Sequence, residues 1–218
     1  DLAVIVKHHG FDDFMRDLVS YLKQDFIRWN EFDKSPRYAA HVPGGVLELM
    51  PTADNQYFSY KCVNGHPANP FSGKQTVVAT GQMNEIKYGY PVLLSEMTTL
   101  TGFRTAATAI IATDYLARQN SSVLAIIGTG AQSEFQTLAQ KLIRPIKTVR
   151  YFDTDPEAML KFAKNLANSG LELIACKDAE EACFGADIIT VCTACKLHAI
   201  VIQDAWVKPG VHINGLGG

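Results

Sequence analysis

A chain of 218 residues is long enough for one large or two modest domains, and 47% apolar with 19% charged residues is ordinary globular composition. A net charge of −2 gives no field to attract nucleic acid or an anionic membrane, and no apolar run approaches bilayer-spanning length. Five cysteines, scattered and mostly inside apolar runs, suit reduced thiols in the cytoplasm rather than a disulfide framework.

Apolar side chains at 11, 14, 18, 22, 26, 29 and 32 form one stripe and predict a helix from Phe11 to Phe32. Short β-like runs follow at Gly45 to Met50, Tyr57 to Val63, Thr76 to Thr80 and Tyr90 to Leu94. Turn chemistry such as Gly65-His66-Pro67 and Asn69-Pro70 separates them, so the first half reads as the meander of an α+β domain. A Thr/Ala-rich helix from Ser95 to Leu116 leads to a polar linker, Ala117 to Ser122. Strands and helices then alternate. Strands are predicted at 123–127, 148–152, 171–175, 187–192 and 211–214, and helices at 132–142, 156–168 and 178–184. Asp155-Pro156 opens one helix as N-cap and first helical residue. Alternation of this kind implies a parallel sheet with helices on both faces. The expected architecture is therefore α/β, with a first domain over 1–116 and a second over 117–218. The final residues, Val211 to Gly218, read as a strand running into a glycine turn, and the chain reads as a C-terminally truncated fragment.

The second domain carries a phosphate-cradle signature. The apolar strand Val123 to Ile127 meets Gly128-Thr129-Gly130, a helical pattern starts at once, and the next strand ends in Asp153. Gly128 permits the tight turn, and Gly130 lets backbone approach a pyrophosphate with no Cβ in the way. The N-terminus of the following helix then favours the phosphate charge. Asp153 stands where an acid accepts hydrogen bonds from an adenosine ribose, which favours NAD over NADP because a 2′-phosphate would meet a like charge. These parts make a Rossmann-type NAD-binding domain the expectation. Ser133 replaces the usual third glycine, and a structural glycine turn in another α/β protein is the bland alternative.

The first domain must then supply the wall that holds a substrate. Lys61 lies in the apolar run Phe58-Ser-Tyr-Lys-Cys-Val63, where it either meets an anion or faces solvent from an edge strand. Arg37 sits beside turn and strand signals, and Arg104 is either a site residue or solvated helix surface. Glu48, between Leu47 and Leu49, fits a partner for a substrate ammonium or an ordinary exposed position. His66, between Gly and Pro, fits a structural role better than a catalytic one. Cys192-Thr-Ala-Cys195 closes a strand with no second pair, and no metal-ligand spacing stands out, so no metal is expected.

Five segments together resemble the ornithine cyclodeaminase/μ-crystallin family. They are Phe32-Asp-Lys-Ser-Pro-Arg37, Tyr60-Lys-Cys-Val-Asn-Gly-His-Pro-Ala-Asn69, Gly89-Tyr-Pro-Val-Leu-Leu-Ser-Glu96, Phe103-Arg-Thr-Ala-Ala-Thr108 and Gly128-Thr-Gly-Ala-Gln-Ser133. The resemblance runs from about Asp12 to Gly218, and that family's glycine turn also departs from a third Gly. It implies a substrate-binding and dimerisation domain joined to a Rossmann-type domain binding NAD, in a homodimer when full length. The implied activity is conversion of L-ornithine to L-proline and ammonia, with NAD as a catalytic cofactor. Carried over by motif, Arg37 and Lys61 would grip the substrate carboxylate, and Arg104 would lie close to substrate and cofactor. Thr76 would lie near the nicotinamide end, Ala131 and Gln132 at the phosphates, and Asp153 at the ribose. Thr193 and Asn214, Gly215 and Leu216 would add cofactor contacts. The family's catalytic Asp is expected just after Gly218. The resemblance also admits members that act on lysine, on ketimines or on alanine, and a non-catalytic binding protein.

Overall fold

The computed structural model describes residues 2–193 and 200–216, so Cys195, Gly217 and Gly218 lie outside the described residues. The chain divides into two compact units, Asp1–Arg104 and Thr105–Gly218. The division falls inside a helix and not at residue 116, where the sequence placed it. Backbone hydrogen bonding runs on through that helix, so its chain signals mark only its end; its later turns pack into the second unit through Thr113.

In the first unit, helices α1 (Leu2–His9) and α2 (Phe11–Ile27) precede a five-stranded antiparallel meander. The strands are β1 (Tyr38–Val42), β2 (Gly45–Ala53), β3 (Tyr57–Gly65), β4 (Val77–Glu85) and β5 (Pro91–Glu96), ordered as in the chain. The predicted helix to Phe32 stops earlier, at Ile27, and a 3-10 turn at Trp29–Glu31 carries Trp29, with Phe32 of the stripe just beyond it. Strand β1 was not expected, because Tyr-Ala-Ala-His-Val has no β-branched residue before its last position. Its pairing is set by the Pro43-Gly44 turn, in which Gly44 takes φ 79°, so that Val42 faces Gly45. Helix α3 (Thr98–Leu116) begins on one sheet face. Thr98 Oγ1 accepts from the Ala79 amide at 2.9 Å, and Phe103 meets Phe14 edge-on with centroids 5.0 Å apart. A Cβ on Gly81 would come within 2.7 Å of Met97, which is why a strand residue there is glycine. The opposite face stays open: Tyr38, Leu47, Leu49, Phe58, Val78 and Leu94 are exposed on it.

The second unit is a parallel five-stranded sheet in the order β10-β9-β6-β7-β8. Its strands are β6 (Val123–Ile127), β7 (Thr148–Phe152), β8 (Glu172–Ala175), β9 (Ile188–Val191) and β10 (His212–Gly215). Helices α4 (Ser133–Ile143), α5 (Pro156–Leu166) and α6 (Ala179–Cys183) connect them. Side chains alternate across each strand, and both faces are buried, which explains why the strands read as unbroken apolar runs. Leu124, Ile126, Val149 and Ile188 pack with Phe162 and Leu166 on one face; Ala125, Ile127, Ile189 and Val191 pack with Ala182 and Cys183 on the other. Asp155 caps α5 by accepting from the Glu157 amide, with Pro156 at the first helical position, as its sequence predicts. The sheet reverses direction of growth at β6, flanked by β7 and β9. The tips of these strands form the crevice where a doubly wound sheet takes its ligand.

Candidate functional site

Two constellations stand out, one in each unit. In the first unit, the four charged residues singled out in the sequence come together. Glu48 on β2 and Lys61 on β3 share one sheet face, since Glu48 pairs with Val63 and Met50 with Lys61. Arg37, just before β1, donates to Glu48 Oε1 at 2.9 Å. Lys61 Nζ donates to Thr101 Oγ1 on α3 at 3.4 Å, and Arg104 lies one turn further along that helix. The Lys61 ammonium is pushed down to about 8, first by burial and then by Arg104 and Arg37, with Glu48 opposing. Burial and then Arg37 lower Arg104 as well, although the residue as a whole keeps solvent access. Of the charged groups that act on Lys61, Arg104 and Arg37 oppose its charge and Glu48 favours it, and a pocket with this balance favours an anion. Lys61 lies half-buried on the inner strand β3, not on an edge strand, and Glu48 is half-buried beside Arg37. Thr101 carried no sequence signal of its own.

The motif around His66 is scaffold. Its ring occupies the space above Gly45, where an added Cβ would come within 2.4 Å, and Asn64 Nδ2 lies 3.1 Å from His66 Nδ1. The His66 amide donates to the Thr76 carbonyl at 2.8 Å, which closes the loop that carries Thr76.

In the second unit, Gly128 has φ 92°, and a Cβ there would come within 2.9 Å of the Thr193 nitrogen. No other residue fits. Around Gly130 nothing lies within 4 Å of where a Cβ would project, and the same holds at Gly215. Ser133, fully buried, donates its hydroxyl to the Gly130 carbonyl at 2.7 Å, so the serine closes the turn instead of obstructing it. Asp153 Oδ2 accepts from the Thr129 amide at 2.6 Å, and its Oδ1 accepts from the Asp155 amide at 3.0 Å. The acid at the tip of β7 thus braces the glycine turn as well as standing beside it. Ala131 and Gln132 form the entry to α4. The side chain of Asn214 is committed inside the unit, donating to Thr113 Oγ1 at 3.1 Å. Sequence reading singled out Gln132 but missed Thr113, and it missed Gln136 and Gln140, whose spacing of four is visible in the chain and places one face of α4 in the interior.

Burial and then Glu134 push the Cys192 thiol up to about 12, which disfavours its thiolate at neutral pH. Among the described residues no group of three or more His, Cys, Asp or Glu is placed to hold a metal ion. No helix there is long and apolar enough to cross a membrane.

Known proteins share this arrangement. The chain is 51% identical over 218 residues to an ornithine cyclodeaminase of Agrobacterium fabrum, matching 100% of the chain and 61% of that protein. Its fold superposes with a TM-score of 0.93 on a lysine cyclodeaminase solved for recognition of L-lysine, L-ornithine and L-2,4-diaminobutyric acid, at 29% identity, covering 99% of this chain and 65% of that one. A Δ1-pyrroline-2-carboxylate reductase of Thermococcus litoralis, solved with NADH and L-proline, matches with a TM-score of 0.87 at 30% identity, covering 93% and 64%. The chain therefore spans about three fifths of the length of the curated relative. The model of the ornithine cyclodeaminase/mu-crystallin family matches residues 3–218, and with the two sheets and the two constellations in place, the chain belongs to that family.

Proposed function

We propose that the protein, at the length of its relatives, is an NAD-dependent ornithine cyclodeaminase that converts L-ornithine to L-proline and ammonia. The observation that carries this reading is the cluster of Arg37, Lys61 and Arg104 around Glu48, a receptor for an amino acid's carboxylate with an acid for an amine. The identity to a relative bearing this activity supports the choice of ornithine.

A dinucleotide fits the second constellation on its geometry. Gly130 and Gly215 leave open space where side chains would project, and Asp153 holds the turn in place before any ligand arrives. Gly128, Gly130, Ala131 and Gln132 would hold the pyrophosphate, and Asp153 the ribose. The backbone of Thr193 and of Asn214 to Leu216 would complete the cradle, and Thr76 in the first unit would serve the nicotinamide end. When bound, NAD supplies a hydride acceptor that returns the hydride, so the net reaction is redox-neutral.

The chain's own residues do the rest. Arg37 and Lys61 fix the carboxylate, which orients Cα. Glu48, shared with Arg37, accepts from a substrate ammonium, and the positive surroundings favour release of a proton from that amine before its chemistry. The α-nitrogen leaves as ammonia while the δ-nitrogen closes the ring, so atoms balance: one ornithine gives one proline and one ammonia. We assign the proton shuttle to an Asp following Gly218, and therefore expect no proline from residues 1–218 alone. The first unit is the proposed substrate and dimerisation domain and the second the proposed NAD domain. The described cysteines are free thiols, in keeping with a cytoplasmic setting.

The test supplies L-ornithine with a trace of NAD+ to the full-length protein. Proline and ammonia should form in equal amounts over many turnovers without lasting NADH. Stoichiometric NADH would mark an amino-acid dehydrogenase, NADH consumption with cyclic imines a ketimine reductase, and faster turnover of L-lysine a lysine cyclodeaminase. No turnover of any of these, with NAD bound, would mark a binding protein.

A further inference from the structure

We propose that Thr113 is a positioning residue that fixes the tip of β10, the segment Asn214 to Leu216, for cofactor binding. The inference rests on reading that segment as part of a dinucleotide cradle. Thr113 is fully buried on α3, and its hydroxyl uses every site it has. It donates to the Ala109 carbonyl at 3.1 Å, accepts from Gln140 Nε2 at 3.1 Å and accepts from Asn214 Nδ2 at 3.1 Å. One oxygen thus ties α3 to α4 and to the end of β10.

Strand β10 needs such a tie. It is the edge of the described sheet and pairs only with β9, so its tip has a hydrogen-bonded neighbour on one side. The ladder's last bond runs from the Leu216 amide to the Val191 carbonyl at 3.0 Å. Asn214 Oδ1 lies 3.1 Å from His212 Nε2 on the same strand, so its amide is held from both ends. With that side chain fixed inward, the residues that follow have a defined departure from the sheet. A valine at 113 matches the shape but accepts no hydrogen bond, leaving two buried donors without their partner.

Thr113→Val, Thr113→Ser and Gln140→Met in the full-length protein separate positioning from stability. NAD+ affinity is measured by calorimetry, thermal midpoint by near-ultraviolet dichroism, and amide exchange of 212–216 by mass spectrometry. Thr113→Val should raise the NAD+ Kd about tenfold and speed exchange at 212–216. Thr113→Ser, which keeps the hydroxyl, should restore both to within twofold of wild type. Gln140→Met removes the other donor to Thr113, so it should lower the thermal midpoint and leave the Kd within twofold. A folded Thr113→Val with wild-type Kd and exchange overturns the proposal. If Thr113→Val does not fold, Thr113→Cys, a weak acceptor of similar size, takes its place in the comparison. Loss of fold there too rejects positioning in favour of a folding role. Wild-type protein that binds no NAD+ refutes the cofactor reading instead, and the exchange comparison then still decides whether Thr113 holds β10.

Discussion

At Lys61, the cost of burying an ammonium and repulsion from two arginines outweigh attraction by one carboxylate, and the pKa falls to about 8. Because this lies below the ordinary lysine value of 10.5, the folded chain has lost a proton that the unfolded chain keeps between about pH 8 and 10.5. Lys61's contribution to stability therefore rises with pH across that window, and its full penalty applies below it. Carboxylate binding works the other way, since it needs the ammonium form. For ornithine, kcat/KM should fall as pH rises through about 8, and Lys61→Arg should move that fall upward because guanidinium does not titrate there. Superimposable profiles would assign the titration to another group. Arg37→Ala removes a charge-assisted contact and should cost on the order of 2–5 kcal/mol in kcat/KM with NAD+ affinity near wild type. Normal turnover would return Arg37 to its bond with Glu48 alone. At Asp153, NAD+ should bind at least roughly tenfold tighter than NADP+, about 1.4 kcal/mol, and Asp153→Asn should narrow the gap. Equal affinities in the wild type would remove Asp153 from the ribose.

The elements show where sequence reading succeeds. Strands β6 and β7 are doubly buried runs bounded by polar linker and glycine turn, and their predicted limits, 123–127 and 148–152, match those observed. Helix α5 announces itself by its cap, and the glycine turn by a strand, two glycines and an acid. What stayed hidden depends on partners distant in the chain. Arg144 reads as a helix-end arginine, yet it is 3% exposed and lies under the C-terminus of α3. Its guanidinium donates to the carbonyls of Thr113 at 2.9 Å, Asp114 at 2.9 Å, Ala117 at 3.2 Å and Arg118 at 3.1 Å, and it pairs with the Asp114 carboxylate at 3.3 Å. A helix end offers carbonyls without intrahelical partners and a partial negative charge, and a planar cation satisfies both. No periodicity encodes that meeting, just as none joins Arg37 to Glu48 or Thr101 to Lys61. Arg144→Met should destabilise the protein by about 3–5 kcal/mol, read from the urea midpoint at unchanged slope, because the carbonyls lose their donor in the interior. Arg144→Lys should recover only part, having no fork to span them. A loss under about 1 kcal/mol for Met would mean that the α3 terminus finds other donors.

For the whole molecule, the open face of the antiparallel sheet is the feature a single chain leaves unexplained. Leu94 is 76% exposed and Tyr38 67%, and the register sets Tyr38, Leu49 and Cys62 side by side with Leu47, Phe58 and Val78 around them. Contiguous apolar surface of this kind is unfavourable in water and is typical of an interface, although Gln82, Asn84 and Glu96 share the face toward β5. The helix-bearing face cannot serve, because α3 and the Arg37, Glu48 and Lys61 cluster occupy it. A second copy of the same face offers matching apolar character at the β1–β3 side, with Glu96 at the end of β5 away from Tyr38 and Leu49, and a symmetric dimer is the closure we propose. In the full-length protein, sedimentation should report a dimer at micromolar concentration. Leu49→Glu would set a carboxylate in the middle of the joined faces and should weaken the dimer at least roughly thirtyfold, from a cost of about 2 kcal/mol or more. The same variant should leave NAD+ affinity intact, because Leu49 and the glycine turn belong to different compact units. A Leu49→Glu protein that sediments as wild type would show that a second subunit does not cover this sheet.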